Sequence, residues 1–187
     1  MSSLLAPFGL KPLYHPSGTI RPKALDVASG YNTNLFQYTP VALGAPAAGL
    51  IAFPAVSGPI IGTFLGVEYT QTNQRRTYSN WWPANTVATQ IVAYYTDDEL
   101  ITYEIQANGP IAETQVGNQA NITAETGNTT TGFSTIALDT ATLTTNGNAL
   151  LRIVGLTPGP LNAFGDAFTI VQVMIANHQF RATRVAI

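Results

Sequence analysis

The stretch Leu100-Ile101-Thr102-Tyr103-Glu104-Ile105-Gln106-Ala107 alternates between apolar and polar residues. Ile101, Tyr103, Ile105 and Ala107 fall on one side, and Thr102, Glu104 and Gln106 on the other. Successive side chains of a strand point to opposite faces, so a period of two describes a strand with one buried and one wetted face. Working outward, Ile91 to Tyr95, Leu150 to Val154 and Phe168 to Ile175 are β-branched or aromatic runs, the last apolar on both faces. Further strands are expected at Ile60 to Tyr69, Val116 to Ile122 and Phe133 to Leu138. Turn residues separate the runs at Asn73-Gln74, Asp97-Asp98, Asn108-Gly109-Pro110, Asn146-Gly147 and Pro158-Gly159-Pro160. No helical stripe and no internal repeat stands out, and Thr123 to Thr145 reads as a Thr-rich loop framing one strand. The pattern implies an all-β fold, a single small β-barrel or sandwich.

The segment before Ile60 has a different character. It holds eight of the 12 prolines, and Pro7, Pro12, Pro16 and Pro22 fix the backbone in extended or turn conformations. Phe8, Leu10, Leu13 and Tyr14 lie between them as anchor-type side chains. The expected organisation is an extended proline-rich N-terminal arm over residues 1–59, followed by a β-barrel-like domain over 60–187. From Val27 to Val67 there is no Asp, Glu, Lys or Arg, which suggests a segment covered by another protein surface. Val41 to Val67 is apolar enough to suggest a membrane span, but three prolines and five glycines break it, so no membrane partner is expected. Pro7, Gly9, Lys11 and Pro12 interrupt the start, and no signal peptide is read there.

Charged residues make up only 10% of the 187, far below the usual quarter, and the formal net charge is −2. Low charge suits a subunit packed against neighbours, and the thin supply of Lys and Arg argues against nucleic acid. Cysteine is absent, which excludes disulfides and thiolate chemistry. Asp97, Asp98 and Glu99 form the one acidic cluster; without the spacing of a calcium loop they read as a solvated turn. A glycosidase pair drawn from Asp98, Glu99 and Glu104 has nothing to set it across a cleft. His15 and His178, the whole histidine inventory, read as packing or hydrogen-bonding residues, since a triad would need more partners. There is no Gly-x-Ser-x-Gly elbow and no phosphate-binding glycine loop. No catalytic residue, metal or cofactor is expected, and the chain does not read as an enzyme. Arg75 to Pro83 (RRTYSNWWP) concentrates Arg, Tyr and Trp, the residues enriched at interface hot spots. The reading there is mixed: one tryptophan in the core, the arginines paired with acids on a neighbour.

Four strings carry a resemblance. They are APFGLKPLYHPSG (6–18), FLGVEYTQTNQRRTYSNWWPANT (64–86), TYEIQANGPIAETQVGNQA (102–120) and LRIVGLTPGPLNAFGDAFTIVQVMIANHQF (151–180). On these the chain resembles structural proteins encoded beside the major capsid protein in tailed bacteriophages, of the head decoration or cement type. The resemblance implies a β-barrel-like subunit, often trimeric, that binds the outer surface where capsid subunits meet. It supplies no catalytic residues. The expected function is thus a structural virion protein, made in the host cytoplasm and located on the capsid outer surface. Its expected partners are the major capsid protein and further copies of itself as a homotrimer. Residues expected at the capsid or subunit interface are Phe8, Leu10, Tyr14, His15, Arg21, Tyr31, Phe36, Tyr38, Arg75, Arg76, Tyr78, Trp81 and Trp82. The alternative is a particle-surface binding module for host attachment or glycans, with Trp81 and Trp82 as a stacking platform.

Overall fold

The computed structural model describes residues 2–44, 49–147 and 149–181. Its strands are β1 (Lys11–Tyr14), β2 (Lys23–Leu25), β3 (Pro40–Leu43), β4 (Ile51–Ala52), β5 (Gly62–Gln71), β6 (Arg76–Ser79) and β7 (Ala88–Tyr95). They continue with β8 (Thr102–Gln106), β9 (Gln119–Ala120), β10 (Gly127–Asn128), β11 (Phe133–Ser134), β12 (Leu151–Leu156) and β13 (Ile170–Ile175). Single 3-10 turns lie at Glu113–Gln115 and Thr140–Thr142. One sheet has five strands in the order β1-β8-β13-β12-β9; the other has six, β2-β7-β5-β3-β4 with β6 beside β5, and all their pairings are antiparallel. The fold is all-β, as the sequence pattern implies. It is an open, sandwich-like pair of sheets rather than a closed barrel.

Each sheet carries its own apolar cluster. On β8 the alternation buries Tyr103 and Ile105 and leaves Thr102 and Glu104 part-exposed; Ile153, Val171 and Val173 join from the neighbouring strands. The second cluster gathers Phe64, Val67, Tyr69, Ile91, Ala93 and Trp82 around β5 and β7. Burial of an aliphatic or aromatic side chain of this size contributes about 1.5–3 kcal/mol. Ile60 belongs to the first cluster and the next residue, Ile61, to the second, while Phe53 touches both. A polar bolt joins the layers. Thr96 Oγ1 accepts the Thr63 amide at 3.1 Å and shares a hydrogen bond of 2.9 Å with the Tyr103 hydroxyl. Burial pushes the Tyr103 phenol well above its ordinary pKa, so it stays a neutral hydrogen-bonding group. Gly62 permits this approach, because a Cβ there would lie 1.7 Å from Thr96 O.

Residues 1–59 do not stand apart as an arm. β1 completes the five-stranded sheet against β8, and β2, β3 and β4 belong to the six-stranded one. The prolines fit because Pro12 lies on an edge strand and Pro40 opens β3, positions where a missing N–H costs no ladder bond. The expected boundary at 59/60 therefore falls inside continuous packing. The charge-free run also finds its cover within the chain: Val27, Leu35, Phe36, Val41, Ile51, Ile60, Ile61, Phe64 and Val67 are all buried. Residues 45–48 of that run lie outside the described residues.

Two expected strands are shorter than the pattern implies. Val116 to Ile122 reduces to β9, and Phe133 to Leu138 to β11. Past β11 the Ala137 amide donates to Thr123 Oγ1 (3.1 Å) and the Leu138 amide to Gln106 O, so loop partners replace a ladder while Ile136 and Leu138 still bury. Thr123 to Thr145 holds the β10–β11 hairpin and the second 3-10 turn instead of one framed strand. Among the described residues no helix is long and apolar enough to cross a membrane.

Candidate functional site

The string Arg75 to Pro83 folds as β6 and the crossing that follows it. Asn73 and Gln74 form the turn from β5, with Gln74 at φ 67° and the Arg75 amide donating to Asn73 Oδ1 at 3.0 Å. Arg76 to Ser79 then pairs with β5 in the register Glu68↔Tyr78 and Thr70↔Arg76. On its other side β5 pairs β7, but a bulge at Leu65 shifts the register from Phe64↔Tyr95 to Gly66↔Tyr94. A side chain at Gly66 would meet Ser79 O at 3.1 Å. The bulge and the missing side chain leave a shallow hollow of about 490 Å³ lined by Pro22, Leu65, Gly66, Val67, Tyr78, Ser79, Asn80 and Tyr94.

A small polar network sets the walls of this hollow. The Tyr94 hydroxyl donates to Glu68 Oε1 at 2.7 Å, and Arg76 Nη2 stands 3.2 Å from Glu68 Oε2. Arg76 Nη1 donates to Gln90 O at 2.7 Å. The Tyr94 hydrogen bond and then Arg76 hold the Glu68 carboxyl below the usual carboxylate range; the same hydrogen bond to Glu68 raises the Tyr94 phenol. Tyr78, opposite Glu68, is 75% exposed. The arrangement sets an exposed aromatic, a residue type enriched at interface hot spots, at a sheet edge beside an apolar hollow.

The other residues expected at an interface divide. Trp82 is fully buried and meets Tyr69 edge-on at 5.2 Å, its backbone bridged to Leu35. Leu10 and Phe36 are also core residues, so these three are corrected from interface to interior. They are large apolar groups in a chain whose sheets need filling. Trp81 is half-buried, its face stacked on Phe36 at 5.4 Å. Tyr31 is half-buried, its hydroxyl accepting the Phe53 amide at 3.0 Å, and Tyr38 packs on Phe133 at 6.0 Å. Phe8 is half-buried, whereas Tyr14, Arg21 and Arg75 are exposed. Arg76 finds its acid on its own chain, not on a neighbour.

His15 and His178, distant in sequence, line one cavity of about 670 Å³. The cavity lies between the β1–β2 connection, the β7–β8 turn and the segment after β13. The acidic cluster organises it. Lys23 Nζ meets Asp97 Oδ2 at 2.6 Å, His15 Nε2 lies 3.2 Å from Asp98 Oδ2, and Arg181 Nε pairs with Glu99. The hydrogen bond to Asp97 raises the Lys23 ammonium above its ordinary pKa. His15 Nδ1 accepts the Ser17 amide at 3.1 Å, which leaves the ring proton on Nε2 toward Asp98 at an angle short of a hydrogen bond. The three acids are thus a clasp on three segments rather than a solvated turn. Glu104 is elsewhere, paired with Lys11 Nζ at 2.7 Å, so no carboxylate pair forms from it and Asp98 or Glu99. Among the described residues no group of three or more His, Asp or Glu could hold a metal ion.

The hollow escaped the sequence because Glu68, Tyr78 and Tyr94 lie on three different strands. The β5–β6 register sets Glu68 opposite Tyr78, and the β5–β7 register brings Tyr94 alongside. The clasp's signal in the sequence was the run of three adjacent carboxylates itself, two of which meet cations, Lys23 and Arg181, while Asp98 faces His15. Compared with protein-family models, curated proteins and solved structures, the chain matches none.

Proposed function

We propose that this chain is a structural subunit of a tailed-phage particle, seated on the outer surface of the shell, where it stabilises the capsid by bridging neighbouring subunits. The observation that carries the reading is the bulge hollow on the six-stranded sheet, with Tyr78 standing free at its wall and Tyr94 oriented by Glu68. Such a surface offers apolar area and fixed hydrogen-bonding groups at low entropic cost, which is what a protein interface uses. The resemblance of the four strings to decoration proteins supplies the identity of the partner as the major capsid protein, with association into trimers as part of the same reading.

The glycan-binding alternative needed the tryptophan pair as a platform. Trp82 is sealed in the core and Phe36 takes one face of Trp81, which leaves that reading without its surface. The test is shell binding by purified protein, read as co-sedimentation with emptied phage heads and as the temperature at which they open. Tyr78→Ala combined with Tyr94→Ala should weaken binding at least tenfold while the free protein keeps its melting temperature. Full binding by that double variant would remove the hollow from the interface, and no binding by the unchanged protein would remove the shell as its partner.

A further inference from the structure

The clasp cavity contains more cations than it uses. Lys23 and Arg181 are each taken by a carboxylate, but Arg21, exposed on the same wall, makes no ion pair with any described residue. A second donor is unsatisfied at the same cavity. His178 is 4% exposed, and its Nδ1 accepts the Phe180 amide at 3.2 Å, so the ring proton sits on Nε2. That nitrogen is shielded from solvent and meets no acceptor among the described residues. A buried N–H without an acceptor carries a desolvation penalty that an acceptor entering the cavity would relieve. Phe180 lies over the imidazole at 5.8 Å with its own ring 61% exposed, so a rotation of Phe180 opens the way to His178.

We propose that this cavity binds a single carboxylate group, with Arg21 as the ion-pair partner and His178 Nε2–H as the second donor once Phe180 turns aside. A planar, singly charged acceptor suits a guanidinium fork. A phosphate dianion does not suit the site, because Asp97, Asp98 and Glu99 stand around it and repel additional negative charge. The cavity's volume and the apolar side chains of Ile20 and Leu100 beside it leave room for the body that carries the carboxylate. That body is either a small organic acid or the C-terminal residue of a polypeptide. The assignment is independent of the shell-binding role.

With only two histidines in the chain, side-chain imidazole NMR signals are few, and a His15→Gln variant assigns them. The full-length protein is titrated with sodium acetate, inorganic phosphate, sodium chloride, and a tetrapeptide ending in a free carboxylate or in its amide. Acetate is expected to move the His178 signals saturably, chloride to leave them in place, and phosphate to bind more weakly than acetate. Arg21→Ala should weaken acetate at least tenfold, and Arg21→Lys should fall between. Because Arg21 is exposed, its variants keep the test open even where His178→Gln fails to fold. The free-acid peptide binding more tightly than acetate, with the amide silent, supports a protein-borne carboxylate; equal binding by acetate supports a small acid. No saturable shift, the same shift with chloride, phosphate binding as well as acetate, or an Arg21→Ala variant that binds unchanged would each overturn the proposal.

Discussion

The two sheets turn different outer faces to their surroundings. On the five-stranded sheet the chain covers its own polar groups: Glu104 takes Lys11, and Gln106 is buried under the first residues, its Oε1 accepting the Ala6 amide at 2.7 Å and its Nε2 donating to Leu4 O at 2.9 Å. Ser2 holds that cover down by donating to Leu161 O at 2.7 Å and by a second hydrogen bond to Asp166, a contact that lowers the Asp166 carboxyl below its ordinary value. On the six-stranded sheet no comparable strap crosses the bulge among the described residues, and Tyr78 is 75% exposed. The difference separates two jobs. One outer face commits its polar groups to the fold, while the other leaves Tyr78 exposed beside an apolar hollow.

Substitutions can break that division at several points. Trp82→Ala empties the centre of the cluster beneath the bare face, and a loss of about 3–5 kcal/mol in chemical denaturation is expected; a loss under about 1 kcal/mol would mean the ring is not core. Gln106→Ala strips two hydrogen bonds from a buried strap, at a cost of about 1–3 kcal/mol, and hydrogen exchange at residues 2–6 should rise with it. Unchanged exchange there would break the claim that this face is covered by the N-terminal residues.

Smaller effects sharpen the comparison. The hydrogen bond from Glu104, opposed in part by burial, raises Lys11 above its ordinary 10.5. A raised folded pKa adds stability that is fully present below the unfolded value and is lost as pH rises through the folded one. Lys11→Met should therefore cost under about 1 kcal/mol at neutral pH, discounted because the ammonium side chain is 44% exposed, and the gap to wild type should close above pH 10.5. A gap that persists at high pH would trace the loss to packing instead. Smallest of all, Tyr78→Ala should leave stability within about 0.5 kcal/mol, as expected for a residue whose use lies outside the fold. A larger drop would place Tyr78 among the chain's own structural contacts.

The sequence announces the strands that alternate or run β-branched. β5, β7, β8, β12 and β13 all overlap expected runs, because a half-buried or fully buried strand writes its period into the residues. The short strands β1 to β4 do not. Pro12 and Pro40 look like breakers along the chain and prove harmless only once the edge position of β1 and the place of Pro40 at the start of β3 are known. The same limit explains the charge-free run. Absence of charge suggests that the large apolar residues of Val27 to Val67 are covered, but the surface that covers those described as buried, the chain's own clusters, is a property of the pairing. Trp81 and Trp82 show it at the finest scale: adjacent strand-like positions point opposite ways, so one ring is sealed and the other half-buried, and identity alone does not say which.

β1 and β2 lie close together in the chain yet enter different sheets, and their partners β8 and β7 are themselves consecutive. Lys11 waits 93 residues for Glu104. At ribosomal speed that is on the order of 5–20 s in which the N-terminal strands have been made and have nothing to pair with. A nascent chain stopped short of residue 95 lacks the end of β7, and one that has passed Glu104 can pair β1 with β8 but still waits for β9, β12 and β13 to complete the five-stranded sheet. The first strands are thus pinned by strands made long after them, and the five-stranded sheet is finished only with β13.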